Sequence, residues 1–124
     1  MTVPSIGPDA GPIICVGHAA LDRVFRVDAI PNGPSKIRAL EHVESGGGMA
    51  ANAAAAIAKL NGKVELWSRV GDDESGRRIK AGLRKAGVDV RYVETFEEGR
   101  SSNAVVVVDV DGERLVVQAR DVNM

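Results

Sequence analysis

Ser45-Gly46-Gly47-Gly48, running directly into Met49-Ala50-Ala51-Asn52, is the stretch of this sequence best suited to holding a small ligand. Glycine lets a ligand approach the backbone closely. A helix that starts here offers unpaired N–H groups and a partial positive charge, to which hydroxyls or an anion can bind. Asn52, one turn in, adds an amide that both donates and accepts. The same glycines would equally serve tight helix–sheet packing, and spacing does not choose between the two. The segment is not a standard nucleotide loop. A P-loop needs Gly-Lys-Ser/Thr at the helix start, and Met49-Ala50-Ala51 stands there instead. A dinucleotide site needs its glycine fingerprint right after the first strand, where this chain has Gly17-His18-Ala19-Ala20-Leu21-Asp22.

Asp22 places a carboxylate shortly after an apolar run. If that run is a buried parallel strand, its C-terminal edge is where ligands bind, and a carboxylate there can accept hydrogen bonds from two sugar hydroxyls. The competing reading is a turn or surface aspartate. Gly71-Asp72-Asp73-Glu74-Ser75-Gly76 clusters carboxylates in a way that suggests a metal, but acidic residues in a first helical turn also cap free N–H groups and oppose the helix dipole. The structural role is the preferred one. His18 and His42 lack metal-ligand spacing. Cys15 lies within an apolar run and reads as a small core residue, with no nucleophile–base pair in evidence.

The elements that must position these groups follow from periodicity and punctuation. Ile13 to Val16 is a short β-branched run closed by Gly17, a buried strand. Val24, Phe25 and Val27 lie in an extended stretch ended by the turn Pro31-Asn32-Gly33-Pro34, and Lys36 to Glu44 forms the partner of an exposed antiparallel pair. Met49 to Leu60 holds seven alanines in twelve residues, with almost no charge before Lys59, which predicts a buried helix stopped at Asn61-Gly62. Val64 to Val70 is a strand, Glu74 to Ala86 a helix capped by the aspartates and ended by Gly87, and Val88 to Val93 another strand. Ala104 to Val110 and Leu115 to Gln118 flank Asp111-Gly112 as a hairpin. Strands alternating with helices predict a parallel sheet with right-handed crossovers. The two hairpin-like insertions do not fit that sheet and are expected to form a separate small β layer.

Bulk properties exclude several classes. Sixteen basic against seventeen acidic residues give a net charge of −1, and the basic residues come in pairs, so nucleic acid is not an expected partner. Aromatic residues at 3% leave no stacking platform for single strands. One cysteine rules out an internal disulfide framework and fits a reducing, cytoplasmic setting. No apolar run is long enough for a membrane span. Residues 1–12, with three prolines and two glycines, lack the basic start and apolar block of a signal peptide and read as a flexible leader.

Taken in order, Gly17-His18-Ala19-Ala20-Leu21-Asp22, Gly47-Gly48-Met49-Ala50-Ala51-Asn52 and Arg69-Val70-Gly71-Asp72-Asp73-Glu74-Ser75-Gly76 resemble the ribokinase-like (PfkB) sugar kinases, with Leu83 to Val88 and Val105 to Val117 continuing the match. The resemblance implies an α/β three-layer sandwich with a small β-sheet lid, whose strands fall within about 23–44 and 100–118. Residues 13–124 would be the N-terminal part of such a kinase domain. In the family the aspartate after the first strand, the di-glycine and the helix asparagine face the sugar, which carries over to Asp22, Gly47, Gly48 and Asn52. The family's catalytic aspartate belongs to a Gly-Ala-Gly-Asp motif absent from this sequence. The chain therefore contributes no catalytic residue, ATP and Mg²⁺ would serve only the longer enzyme, and the 124-residue chain alone is expected to be inactive.

Within the family, the stretch from Leu21-Asp22-Arg23 through Gly46-Gly47-Gly48 is most similar to sulfofructose kinases, as is Gly99-Arg100-Ser101-Ser102, whereas Asp89-Val90-Arg91-Tyr92 is similar to ketohexokinases. Met49 departs from the polar residue relatives often carry. The expected substrate is a ketohexose or sulfofructose. Lys36, at the start of the second lid strand, would meet a sulfonate with Ser35 beside it, and Gln118 on the last lid strand would reach the same end. An ordinary surface lysine is the competing reading of Lys36. The alternatives are a nucleoside kinase of the same family and a non-catalytic sugar-binding module. A homodimer formed through the lid is expected in either case.

Overall fold

A computed structural model describes residues 11–121; most of the leader expected at residues 1–12 lies outside them. Nine elements follow in order: β1 (Ile13–Val16), β2 (Ala20–Arg26), β3 (Glu41–Gly47), α1 (Met49–Lys59), β4 (Val64–Gly71), α2 (Glu74–Ala86), β5 (Val93–Phe96), β6 (Ser102–Val108) and β7 (Arg114–Ala119). They build two sheets. The first is parallel, in the order β1-β4-β5. The second, in the order β3-β2-β6-β7, is the small separate layer expected from the hairpins. It is mixed, because β2 and β6 pair in parallel and so join the two antiparallel pairs into one sheet.

The core lies between the first sheet and the two helices. Leu66 and Val70 of β4 are almost wholly enclosed and meet Ala51 and Ala54 of α1 and Ile79 and Leu83 of α2. Alanine gives α1 its helicity and lets it lie close to the strands. Only Ala51 and Ala54 of this helix are fully buried, while Met49 is 87% exposed, so the expectation of a buried helix is corrected to one with a single covered face. α2 is amphipathic and closed at both ends. Asp73 accepts from Gly76 N–H at 2.7 Å as N-cap, and Gly87 takes a left-handed conformation, φ 97°, with Val88 N–H bonded to Leu83 O and Gly87 N–H to Arg84 O.

Two strands depart most from their expected bounds, while β6 (Ser102–Val108) and β7 (Arg114–Ala119) shift by one or two residues. Val88, Val90 and Val93 are all buried, as their pattern suggested, yet the strand begins only at Val93. Asp89 makes a single bridge to Glu65, then accepts from Arg91 N–H at 3.0 Å and bends the chain before β5. β3 starts at Glu41 rather than Lys36 and runs through Ser45, Gly46 and Gly47, past the expected end at Glu44. Antiparallel pairing carries it to Gly47 opposite Ala20, and tertiary contact overrides the low strand preference of glycine.

Candidate functional site

Asp22 sits mid-strand on β2, directly opposite Ser45 of β3 and Ala104 of β6, and Ala104 is in turn opposite Gln118 of β7. Cross-strand partners share a face, so Ser45, Asp22, Ala104 and Gln118 form one row across the second sheet. With strands about 4.8 Å apart, Asp22 and Gln118 are roughly 10 Å from one another. Asp22 is half-buried and makes no side-chain hydrogen bond or ion pair among the described residues, so its carboxylate is available as an acceptor.

The glycines are needed for two different reasons. Gly47 is buried beside Asp22, and a Cβ added to it would come within 2.6 Å of the Asp22 carboxyl carbon. Gly48 has φ 93°, and a Cβ there would press on the backbone of His18 and lie 2.8 Å from Ala19 Cα. No side chain caps α1, and Gly48 occupies its N-cap. One early N–H is already used, since Ala51 donates to His18 O at 3.2 Å. The helix start is thus tied to the β1–β2 turn, which fixes Gly48 against it.

Asn52 is exposed. It lines a groove of about 350 Å³ with Ser45, Gly46, Gly47, Arg78 and Gly82, and Asp22 is not among the lining residues. Ser45 and Gly47 therefore link the Asp22 row to Asn52. Lys36 is not on a lid strand. It lies exposed in the irregular stretch between β2 and β3, forms no ion pair among the described residues, and shares no row with Asp22. The strand expected to carry it begins five residues later, because only from Glu41 onward does the chain pair with β2.

The Gly71–Gly76 segment has the structural role preferred from sequence. Asp73 caps α2 and also accepts from Ser101 N–H at 2.8 Å and Ser101 Oγ at 2.6 Å, while Ser101 Oγ accepts from Gly71 N–H at 2.9 Å. This knot pins the turn after β4 to the residue preceding β6, and so joins the two sheets. Burial acts to raise the Asp73 pKa, but the bonds from Ser101 and Gly76 and the nearby Arg77 outweigh it and hold the carboxyl below its ordinary range. Asp72 pairs with Arg77 at 3.3 Å. Among the described residues no group of His, Cys, Asp or Glu is placed to hold a metal ion, and none of the helices is long and apolar enough to cross a membrane.

Sequence reasoning missed a second polar feature. Beside the Asp22 row, a cavity of about 320 Å³ is lined by Gly17, His18, Ser68, Arg69, Ser102, Arg120 and Asp121 among others. His18 Nε2 is buried without a hydrogen-bond partner among the described residues. Burial first, then the charge of Arg120, lowers the His18 pKa, and Asp22 partly opposes them. The available signal was position: His18 comes two residues after the first strand, and Arg120 stands two residues beyond Gln118, just past the end of β7.

Comparison with known proteins identifies the family and the fold. The description "pfkB family carbohydrate kinase" matches residues 11–124. An ATP-dependent ribose-1-phosphate kinase of Halopiger xanaduensis is 37% identical over 90% of this chain and 38% of its own length. A fructokinase of Vibrio alginolyticus is 39% identical over 71% of the chain and 27% of its own. A solved structure from Agrobacterium tumefaciens, described as a ribokinase, superposes with a TM-score of 0.85 at 38% identity, covering 90% of this chain and 37% of that one. The chain spans under two fifths of the length of these relatives, and over that span it has the ribokinase-like α/β fold. The chain belongs to the pfkB family of carbohydrate kinases.

Proposed function

We propose that the full-length protein transfers the γ-phosphoryl group of ATP to a hydroxyl of a sugar, a ketohexose or sulfofructose, and that this chain supplies most of the sugar pocket and its lid. The observation that carries the reading is the single face on which Asp22, Ser45 and Gln118 stand in one row with Gly47 pressed against the carboxylate. Phosphoryl transfer depends mainly on positioning and charge stabilisation. Asp22 would accept hydrogen bonds from sugar hydroxyls. Gly47 and Gly48 would bring the backbone close to the sugar, and Asn52 and Gln118 would bound it. No residue of this chain is assigned as catalytic base. Mg²⁺ would accompany ATP and offset phosphate charge, and the chain's own residues bind and orient the sugar independently of it.

The second sheet would act as the lid. Its edge strand β7 is exposed along its length, with Leu115, Val116 and Val117 each at least half open, which suits pairing with a second copy in a homodimer. A cytoplasmic setting, in keeping with the free Cys15, completes the reading. The test is a phosphorylation screen of the full-length protein with ATP against ketohexoses, sulfofructose, pentoses and nucleosides. ATP-dependent product with a ketohexose or sulfofructose is expected. Product with nucleosides alone, or with none of them, would overturn the reading.

A further inference from the structure

We infer that the cavity at the foot of the Asp22 face binds an anionic group carried by the sugar, with Arg120 as its main cation. The substrate is then a sugar acid, sulfonate or phosphate ester rather than a neutral sugar. The inference rests on the sugar-kinase reading and deepens it. Residues two apart on a strand share a face and are about 7 Å apart. Ala20, Gly47 and Ser102 therefore form the row next to Asp22 on its own face. The β6–β7 register ends at Asn103 opposite Ala119, and the next residues outward are Ser102 on β6 and Arg120 just past β7. Both line the cavity with His18, Ser68, Arg69 and Asp121. A sugar whose hydroxyls lie on Asp22 would extend its far end one row, to Ser102 and Arg120.

The chemistry of the lining favours an oxyanion. Arg69 and Arg120 bring two positive charges against one carboxylate, Asp121, whose Oδ2 already accepts from Arg100 N–H at 2.9 Å. Neither arginine forms an ion pair among the described residues. The Arg69 guanidinium lies 5.3 Å from the centroid of the Phe96 ring, a contact that leaves its N–H groups available. A guanidinium presents a planar fork of donors suited to phosphate, sulfonate or carboxylate. His18 lines the same cavity, although its Nε2 is closed off within the fold. Lys36, exposed and off the sheet, has none of these neighbours.

The test is calorimetric titration of the full-length protein with fructose, sulfofructose, ribose, ribose 1-phosphate and sodium sulfate at constant ionic strength, for the parent and for R120A, R120K and K36A. An anionic sugar should bind at least about tenfold tighter than its neutral counterpart, the order of one charge-assisted hydrogen bond. R120A should abolish that advantage without changing affinity for the neutral sugar, R120K should restore part of it, and K36A should change neither. Equal affinity for neutral and anionic sugars, or an equal loss of both in R120A, overturns the inference and leaves the kinase reading standing. Sulfate that binds together with the sugar, without competing against the anionic one, marks a free-anion site and also overturns it. Failure of every sugar to bind removes the kinase reading and this inference together. Circular dichroism of R120A checks that this exposed substitution leaves the fold intact.

Discussion

Alanine at Gly47 and alanine at Gly48 should fail for different reasons, although the two positions are adjacent. At Gly47 the obstacle to a Cβ is the Asp22 carboxyl group, 2.6 Å from its carbon. A carboxylate at the end of a short side chain can swing aside. Holding it about 30° off its rotamer costs roughly 0.5–1.5 kcal/mol. Replacing glycine within a strand returns about 0.5–1 kcal/mol. The two nearly cancel, so G47A should unfold within about 1 kcal/mol of the parent, yet Asp22 no longer points where the sugar needs it. Losing a hydrogen bond to a charged group costs about 1.5–3 kcal/mol, a ten- to hundredfold loss of sugar affinity. At Gly48 the obstacle is backbone, with Ala19 Cα at 2.8 Å, and φ is 93°. Backbone cannot swing aside, and alanine held at positive φ costs about 1–3 kcal/mol on its own. G48A should therefore be destabilised by more than that. Urea unfolding and sugar titration of both full-length variants separate the cases. If G47A binds sugar as the parent does, or loses as much stability as G48A, the coupling of Gly47 to Asp22 is wrong.

Asp73→Asn tests the knot between the sheets. The Asp73 pKa is depressed in the fold, so its stabilisation is complete above the unfolded value, about 3.9, and is lost as pH falls through the folded value. D73N should melt lower than the parent at pH 7, and the difference should shrink as pH falls below about 4. A difference that does not change with pH would contradict this. Leu66 has no exposed surface, and L66A should cost about 2–5 kcal/mol in chemical unfolding. A cost under about 1 kcal/mol would mean that β4 is not the centre of the core.

Much of the fold was legible because local signals agreed with tertiary ones. α2 carries a cap at Asp73, an amphipathic body and a left-handed glycine at Gly87, and its observed bounds, Glu74–Ala86, are those expected. β1 is likewise where its apolar run placed it, but the expectation that it is buried is corrected: Ile13, Ile14 and Val16 are exposed, because β1 is the edge of its sheet and pairs only with β4 among the described residues. Legibility failed where long-range pairing decides. Nothing local in Ser45-Gly46-Gly47 favours a strand, and they join one because Ala20 to Asp22 lie opposite. The parallel pairing of β2 with β6 joins residues about eighty positions apart and leaves no local trace. The same limit shaped the site. Asp22 and Gly47 could be named from motifs, and the structure sets them side by side, but the placing of Lys36 depended on where β3 begins. His18 and Arg120 became visible only once the two sheets met. Sequence spacing cannot show that Nε2 of one histidine is buried without a partner.

Asp22→Ala in the full-length protein tests the central claim most directly. Asp22 is half-buried and makes no hydrogen bond or ion pair within the described residues, so its removal should leave the melting temperature close to that of the parent. Affinity for the sugar that the protein phosphorylates should fall about ten- to hundredfold. Sugar affinity equal to that of the parent would remove Asp22 from the site and contradict the account.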